Sequence, residues 1–207
     1  MFTGHYKHWQ QTRIEKIVSI FGKEFFNSKT ILELACGHGD IGKYFQSIGA
    51  IVTFADGRQE HLNKIKKSDP LATTILLDQD NEWDLKTKFD IIIHWGVLYH
   101  LNNWKQDLQC AIKHSDLIFL ETESCDSDNP DFELKLTESG YDQALNGTGT
   151  RPSAAMIETY LSLLGVEYQR YDDSDLNSSF HKYDWKVNNT NKLRGGHRRF
   201  WIIKKNK

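Results

Sequence analysis

The chain contains only three cysteines among its 207 residues, and no two of them stand in a C-x-x-C spacing. This shortage argues against a disulfide framework or a cysteine zinc site, and a reducing, cytoplasmic location is expected. No apolar run is long enough to cross a membrane, and the polar, aromatic N-terminus does not resemble a signal peptide. The formal net charge of -2 supplies no overall field that would attract nucleic acid or anionic lipid.

Short apolar runs alternate with helical patterns along most of the chain. Strands are predicted at 29–35, 50–55, 73–77, 89–94, 116–120, 166–171 and 198–203. Helices are predicted at 7–21, 40–48, 58–67, 103–114 and 151–164. This order predicts an α/β fold, a single-domain doubly wound, mostly parallel seven-stranded sheet with an antiparallel C-terminal hairpin.

One segment is too long for an ordinary connection. Residues 121–150 are acidic and rich in turn residues, so we expect a lid or insertion that serves the site. A disordered surface loop is the alternative. Residues 1–28 are expected to form an N-terminal helical cap, and the whole chain, 1–207, is expected to form one domain.

The stretch ILELACGHGDIG, residues 31–42, is the most informative part of the chain. An apolar run carries Glu33, a turn with Gly37 and Gly39 follows, and an amphipathic segment begins at Asp40. This order predicts a buried strand, a tight loop and a helix N-terminus. Such a unit is the usual entrance to a nucleotide-cofactor site in an open α/β sheet.

Two cofactor classes use such an entrance. The G-x-G-x-x-G spacing from Gly37 to Gly42, with Asp56 ending the next strand, would also suit a nicotinamide dehydrogenase. However, a dinucleotide places its pyrophosphate at the helix N-terminus, where Asp40 would repel it. Glu33 can accept a hydrogen bond from an ammonium group. The loop therefore favours S-adenosylmethionine (SAM), which carries an ammonium and a sulfonium and no phosphate.

These residues resemble the class I SAM-dependent methyltransferases, which have a Rossmann-like fold. Residues 33–39 match the family's first motif, and HWGVLYHL at 94–101 is similar to its segment after the fourth strand. The resemblance implies that Asp56 binds the ribose hydroxyls and that Asp78 and Gln79 contact the adenine edge. The implied cofactor-binding residues are Glu33, Ala35, Gly37, Gly39, Asp56, Gly57, Asp78, Gln79, His94, Trp95 and Tyr99.

A second resemblance lies in the C-terminal part of the chain. The segments GTGTRPSAA, NSSFHKYDW and HRRFW are similar to small sugar or glycan methyltransferases, including virus-encoded ones. Two departures from the wider family concern the acceptor. His94 replaces the carboxylate or asparagine of many members, and the N/D-P-P-Y/F motif of amino methylation is absent. The sequence therefore favours O-methylation over methylation of base nitrogens.

Three histidines are candidates for the general base that a hydroxyl acceptor requires, because histidine titrates near neutral pH. His100, just after the fourth strand, should lie close to the sulfonium, although a structural histidine is an equal alternative. His181 could reach over the pocket from the connection before the last strand, or be a solvated loop residue. His94 is the third candidate and is expected to lie under the cofactor.

Three acidic residues follow the fifth strand, Glu121, Glu123 and Asp126. They could bind a divalent metal, or Glu121 and Glu123 could accept hydrogen bonds from acceptor hydroxyls. A solvated acidic loop is preferred to a metal site, because spacing alone cannot certify magnesium ligands. No metal site is therefore predicted, Glu121 and Asp126 stay weak candidates, and the need for a divalent metal remains open.

Other candidates concern the acceptor and the closure of the site. Arg151 could clamp an acceptor carboxylate or phosphate, or pair with a local aspartate. Tyr183, near His181, is a candidate for acceptor binding. His5, Tyr6 and Trp9 lie on the predicted N-terminal helix, which could close over the cofactor or simply pack against the sheet.

Three functions remain open on these grounds. The first is O-methylation of a sugar, a glycan or another small hydroxyl acceptor by in-line transfer. The second is an RNA (tRNA)-modifying methyltransferase, suggested by GVLYHL and by the basic C-terminal end, although a solvated strand explains that end better. The third is an NAD-dependent oxidoreductase or a cofactor-binding module. Nucleic acid is thus a disfavoured partner, and no membrane partner is expected.

Overall fold

The computed structural model of the protein describes residues 4–206, and the side chain of His5 lies outside the described part. The helices are α1 Gly4–Phe21, α2 Asp40–Ser47, α3 Gln59–Ser68, α4 Trp104–His114 and α5 Ala154–Leu163. The strands are β1 Thr30–Leu34, β2 Ile51–Asp56, β3 Thr73–Leu76, β4 Ile91–Trp95, β5 Leu117–Glu123, β6 Glu133–Thr137, β7 Thr148–Pro152, β8 Val166–Tyr171 and β9 Arg198–Lys205. None of the described helices is long and apolar enough to cross a membrane.

Seven of the strands form one sheet in the order β3-β2-β1-β4-β5-β9-β8. The first five of these are parallel, and β9 runs antiparallel to both β5 and β8. The predicted fold class is therefore confirmed, including the antiparallel pair at the C-terminus. The strand order reverses beside β1, between β1 and β4, which is where an open α/β sheet forms a ligand crevice.

The sheet is buried on both faces, as its continuous apolar strands require. Successive residues of β1 point to opposite sides, so that Ile31 packs in one core cluster and Leu32 in the other. The first cluster includes Ile17 of α1 and Phe45 of α2. The second includes Leu108 of α4 with residues of α5. These two layers hold the carboxyl ends of the central strands in fixed positions.

The segment predicted as a lid contains regular secondary structure. Its first residues, 121–123, belong to β5, and β6 and β7 pair as a separate antiparallel hairpin. The predicted helix start at 151 is also wrong, because Arg151 and Pro152 end β7. The helix α5 instead begins after Ser153, whose side-chain oxygen accepts from the Met156 amide at 2.9 Å.

Candidate active site

A cleft opens at the carboxyl ends of β1, β2 and β4, where the strand order reverses. Helix α1, the turn between β6 and β7, and the loop before β9 contribute to its walls. Most of the predicted cofactor-binding residues line it: Glu33, Ala35, Gly37, Asp56, Gly57, Asp78, Gln79, Trp95 and Tyr99. The base candidates His100 and His181 line it as well, together with Tyr6 and Trp9 of α1.

The loop between β1 and α2 is shaped by left-handed backbone and close packing. Gly39 has φ 74° and lies directly before α2, and a Cβ there would come within 2.9 Å of the Phe54 ring. Gly39 does not itself line the cleft, so its contribution is to the loop's path. Gly42 lets the first turn of α2 approach Glu33, because a Cβ there would lie 2.5 Å from its Oε2.

Glu33 is a buried carboxyl group at the floor of the cleft, with only 2% of its surface exposed. Its Oε2 accepts a hydrogen bond from the Gly42 amide at 2.9 Å. Burial, aided by the nearby charges of Asp40 and Asp56, raises its pKa to about 8, although the Gly42 amide and Lys43 act in the opposite direction. A cation placed beside this group would favour its ionised form, so the site suits an ammonium.

Asp56 fixes the glycine loop from the end of β2. Its Oδ2 accepts from the Gly37 amide and its Oδ1 from the Arg58 amide, both at 2.8 Å. His61 Nδ1 lies 3.1 Å from the same Oδ1. Because the carboxylate sits on the cleft wall with its position fixed, it can accept hydrogen bonds from a diol without reorganising.

The predicted adenine segment lies on the far side of the same cleft. The Asp78 carboxylate accepts from the Asp80 amide at 3.0 Å, which closes a tight turn. The Gln79 amide donates to Asp107 of α4 at 3.0 Å. Asp78 and Gln79 both line the cleft, and their side chains are held by the protein rather than extended into it.

His94 lies on the wrong face of β4 for either role predicted for it. Its side chain is fully buried, and Nε2 lies 2.5 Å from Asp107 Oδ2. Asp107 also accepts from the indole of Trp83 at 2.9 Å. His94 does not line the cleft, whereas its strand neighbours Ile93 and Trp95 do. Since successive strand residues alternate faces, Trp95 takes the position expected of His94.

His100 is paired with a carboxylate that the sequence analysis did not single out. Its Nδ1 lies 2.5 Å from Oε2 of Glu138, which follows β6 directly. The same Oε2 accepts from the Ala144 amide at 2.7 Å, and Arg151 forms an ion pair with the other oxygen. Glu138 is thus held at three points and orients the imidazole that faces the cleft.

The turn between β6 and β7 also covers the end of β2. Arg58 donates to the carbonyl of Gln143 at 2.7 Å, and the Tyr141 hydroxyl donates to Glu60 at 2.9 Å. The Leu145 side chain packs so closely on Gly57 that a Cβ there would lie 2.3 Å from its Cδ1. One turn therefore contacts the predicted ribose end of the cleft and carries the partner of His100.

The four residues predicted to bind the acceptor lie behind the cleft wall, and none of them lines it. Glu121 is fully buried and receives hydrogen bonds from the Tyr183 hydroxyl and from Arg13 and Arg198 at 3.4 Å. Arg151 pairs with Glu123 at 3.1 Å and with Glu138. These charges hold Arg198 and His100, which do line the cleft.

A family model described as "Methyltransferase domain" matches residues 6–190 of the chain. The chain belongs to this family. The resemblance to class I SAM-dependent methyltransferases is thereby confirmed, and the nicotinamide oxidoreductase alternative is overruled.

This methyltransferase resembles other proteins both in sequence and in structure. The "Histidine protein methyltransferase 1 homolog" of Dictyostelium discoideum is 27% identical over 117 residues, which is 51% of this chain. The chain spans only 38% of that relative's length. Among solved structures, the N-terminal domain of EvdMO1 with SAH bound has a TM-score of 0.69 at 14% identity, covering 96% of this chain and 81% of that one.

A second solved structure is the plantazolicin methyltransferase BpumL, in complex with a triazolic desmethylPZN analog and SAH. Its TM-score is 0.63 at 18% identity, and the match covers 96% of this chain and 86% of that one. At these identities the likeness establishes the fold. Both solved neighbours hold SAH, the demethylated cofactor, which supports SAM as the cofactor of this methyltransferase. A buried carboxyl for an ammonium and a fixed carboxylate for a diol are the groups such a cofactor requires.

The carboxylates considered as metal ligands are occupied by other partners. Asp126 accepts from the Asn188 amide and the Thr190 hydroxyl, both at 2.7 Å. Glu121 faces two guanidinium groups, which would repel a cation. In residues 6–206, whose side chains are described, no three histidine, cysteine or acidic side chains are placed to hold a metal ion.

We therefore expect methyl transfer by this protein to be indifferent to chelators. Initial rates measured after dialysis against EDTA should agree with rates in added Mg²⁺, because no acidic cluster of the described chain is free to bind the ion. Loss of activity in EDTA that Mg²⁺ restores would contradict this expectation.

Proposed function

We propose that this methyltransferase transfers the methyl group of SAM to a hydroxyl oxygen of a small molecule, a sugar or a glycan. The observation that carries the proposal is the pair formed by His100 and Glu138 at the cleft. With Nδ1 bound to the carboxylate, the remaining nitrogen of His100 has no bonded partner among the described residues. That nitrogen is available to take the proton of an acceptor hydroxyl.

The protonation states of the pair suit a general base. Burial lowers the pKa of His100, and the hydrogen bond and charge of Glu138 offset this only in part. Burial alone would raise the pKa of Glu138, but His100, the Ala144 amide and Arg151 outweigh it and bring the pKa to about 2. At neutral pH the imidazole is neutral, with its proton on the nitrogen that faces Glu138.

SAM, when bound, supplies a methyl group already activated by the sulfonium. The chain's own residues would bind and orient it: Glu33 receives the ammonium, Asp56 the ribose hydroxyls, and Asp78 and Gln79 the adenine edge. The turn 138–147 covers the end of the cleft proposed to hold the ribose and would exclude water there. Catalysis then consists largely of alignment and proton removal, which is what these rigidly held groups can provide.

Methylation by the purified protein should follow the titration of His100. Because burial lowers the pKa of this imidazole, the rate should hold down to a pH below its ordinary value of about 6.5 and fall only under that. The measurement is kcat against pH with a panel of sugars and phenols, scoring a mass gain of one methyl group and its stability to mild base. A rate that rises toward high pH with no plateau at neutrality would contradict a neutral histidine base.

RNA is less well supported as an acceptor, because the basic C-terminal residues do not form one surface at the cleft. Arg198 and Arg199 are buried in ion pairs. Lys204 pairs in register with Leu117, at the start of β5 and thus at the opposite end of the sheet from the cleft. Of the proteins similar to this chain, one is named as a histidine protein methyltransferase homolog, and the N-terminal domain of EvdMO1 was also crystallised in the presence of SAH and D-fucose. The hydroxyl proposal accommodates the last of these directly.

A further inference from the structure

Two buried N–H groups on the cleft wall have no hydrogen-bond partner among the residues that the structure describes. They are the indole Nε1 of Trp95 and the guanidinium Nε of Arg198. Both side chains line the cleft, and their exposed fractions are 4% and 7%. Because buried polar groups in proteins are nearly always bonded, two unpaired donors in one cleft indicate a ligand that supplies the acceptors.

The contacts of Arg198 leave part of its hydrogen-bonding capacity unused. Its Nη2 donates to the Tyr99 hydroxyl at 3.1 Å, and its guanidinium lies 4.6 Å from the centre of that ring. The carboxylate nearest to it, Glu121, is shared with Arg13, which lies 3.4 Å away. The other carboxylate of the region, Glu123, is paired with Arg151.

Tyr99 adds a third donor at the same place. Its oxygen accepts from Arg198, so its own hydrogen can point to a ligand in the cleft. Tyr99 is also the residue before His100, and their ring centroids lie 4.0 Å apart. A subsite with three donors, one on a guanidinium, therefore lies next to the proposed base.

We propose that this subsite, formed by Trp95, Tyr99 and Arg198, binds a carboxylate of the methyl acceptor. The inference rests on the proposed hydroxyl transfer and extends it. The acceptor is then a hydroxy acid whose hydroxyl lies at His100 and whose carboxylate accepts the three N–H and O–H donors. The aromatic side chains of Trp9, Trp95 and Tyr99 on the same walls suit the face of a sugar acid or of a hydroxybenzoate ring.

A carboxylate is also present on the methionine part of the cofactor, so the test must separate the two sources. Calorimetry is done with protein saturated with S-adenosylhomocysteine, which fills the cofactor's own carboxylate site. The probes are matched pairs, 4-hydroxybenzoate with 4-hydroxybenzamide and D-glucuronate with D-glucose. We expect the acid of at least one pair to bind about tenfold or more tightly than its neutral partner, since its bonds are charge-assisted.

Substitutions then assign the preference to the subsite. Trp95→Phe keeps the aromatic packing and removes the N–H, and should lower affinity for the acid about tenfold with little change for the neutral probe. Trp104→Phe, at a buried tryptophan whose indole pairs with Glu133 outside the cleft, is the matched control and should leave both affinities unchanged. The indole N–H resonance missing from the Trp95→Phe spectrum should shift when the acid binds the unaltered protein.

The outcomes are distinguishable. If no acid is preferred in either pair, or if Trp95→Phe weakens SAM binding but not the acid, the carboxylate subsite is wrong while hydroxyl transfer stands or falls on its own assay. If the methylated product is an ester that mild base cleaves, the carboxylate is itself the methyl acceptor, and both hydroxyl transfer and the placement of the carboxylate away from the methyl group are wrong.

Discussion

Replacing His100 with asparagine should lower kcat for methyl transfer by roughly 10²- to 10⁴-fold, the usual contribution of a positioned general base. Asparagine can still donate to Glu138 from near the Nδ1 position, so the turn 138–147 should stay in place. The atom that is lost is the one available to the acceptor proton. Because the residues proposed to bind SAM lie on other walls of the cleft, its dissociation constant should change by no more than about twofold.

Glu138→Gln is the matched variant for that experiment. It keeps a hydrogen-bonding group against His100 and removes the charge, so kcat should fall by roughly tenfold. Losing the carboxylate should also lower the pKa of His100 further, and the acidic limb of the pH profile should move down with it. A full rate for His100→Asn would end the base assignment. If His100→Asn no longer bound SAM, the result would indicate that His100 is a structural residue and not the base.

Much of the fold could be predicted because the signals are local. Apolar runs bounded by turns located the seven strands of the sheet, and their alternation with helices gave the parallel order. The β6–β7 hairpin was missed because its strands, ELKLT and TGTRP, are short, and β7 packs against the turn 98–100, which is distant in sequence. ELKLT does alternate polar and apolar residues, which is a strand pattern, whereas nothing in the polar run TGTRP distinguishes it from a turn.

The site was predictable where spacing fixes geometry and not where distant segments meet. Glu33 and Asp56 follow from the strand–loop–helix order. The partner of His100, Glu138, is 38 residues away in the sequence, and no local pattern predicts their contact. His94 is different, since the two-residue period of β4 shows that it and Trp95 cannot both face the cleft. Because Ile91, Ile92 and Ile93 are all apolar, however, the sequence does not show which of the two faces is the one toward the cleft.

Replacing Glu33 with glutamine should stabilise the protein without cofactor and weaken its binding of SAM. The pKa of this buried carboxyl is about 8, whereas an unfolded glutamate ionises near 4.3, so folding takes up a proton between those pH values. Stability of the unaltered protein should therefore fall as the pH rises from about 5 to 8. Glutamine can still accept from the Gly42 amide, and it has no charged form that burial would destabilise. The free energy of unfolding at pH 8 should therefore be higher for the variant by roughly 3 kcal/mol.

The same substitution removes the charge proposed to face the ammonium of SAM, and affinity for SAM should fall by roughly 10²-fold because a buried charge-assisted bond would be lost. Urea unfolding at pH 6 and pH 8 measures the first effect and calorimetry the second. Glu24→Gln, on the exposed turn before β1, removes one charge outside the cleft and is the control. Binding to the unaltered protein at pH 7 should also release the Glu33 proton, so the measured heat depends on the buffer's ionisation enthalpy. If Glu33→Gln binds SAM as tightly as the unaltered protein and the heat is the same in every buffer, the ammonium does not bind at Glu33.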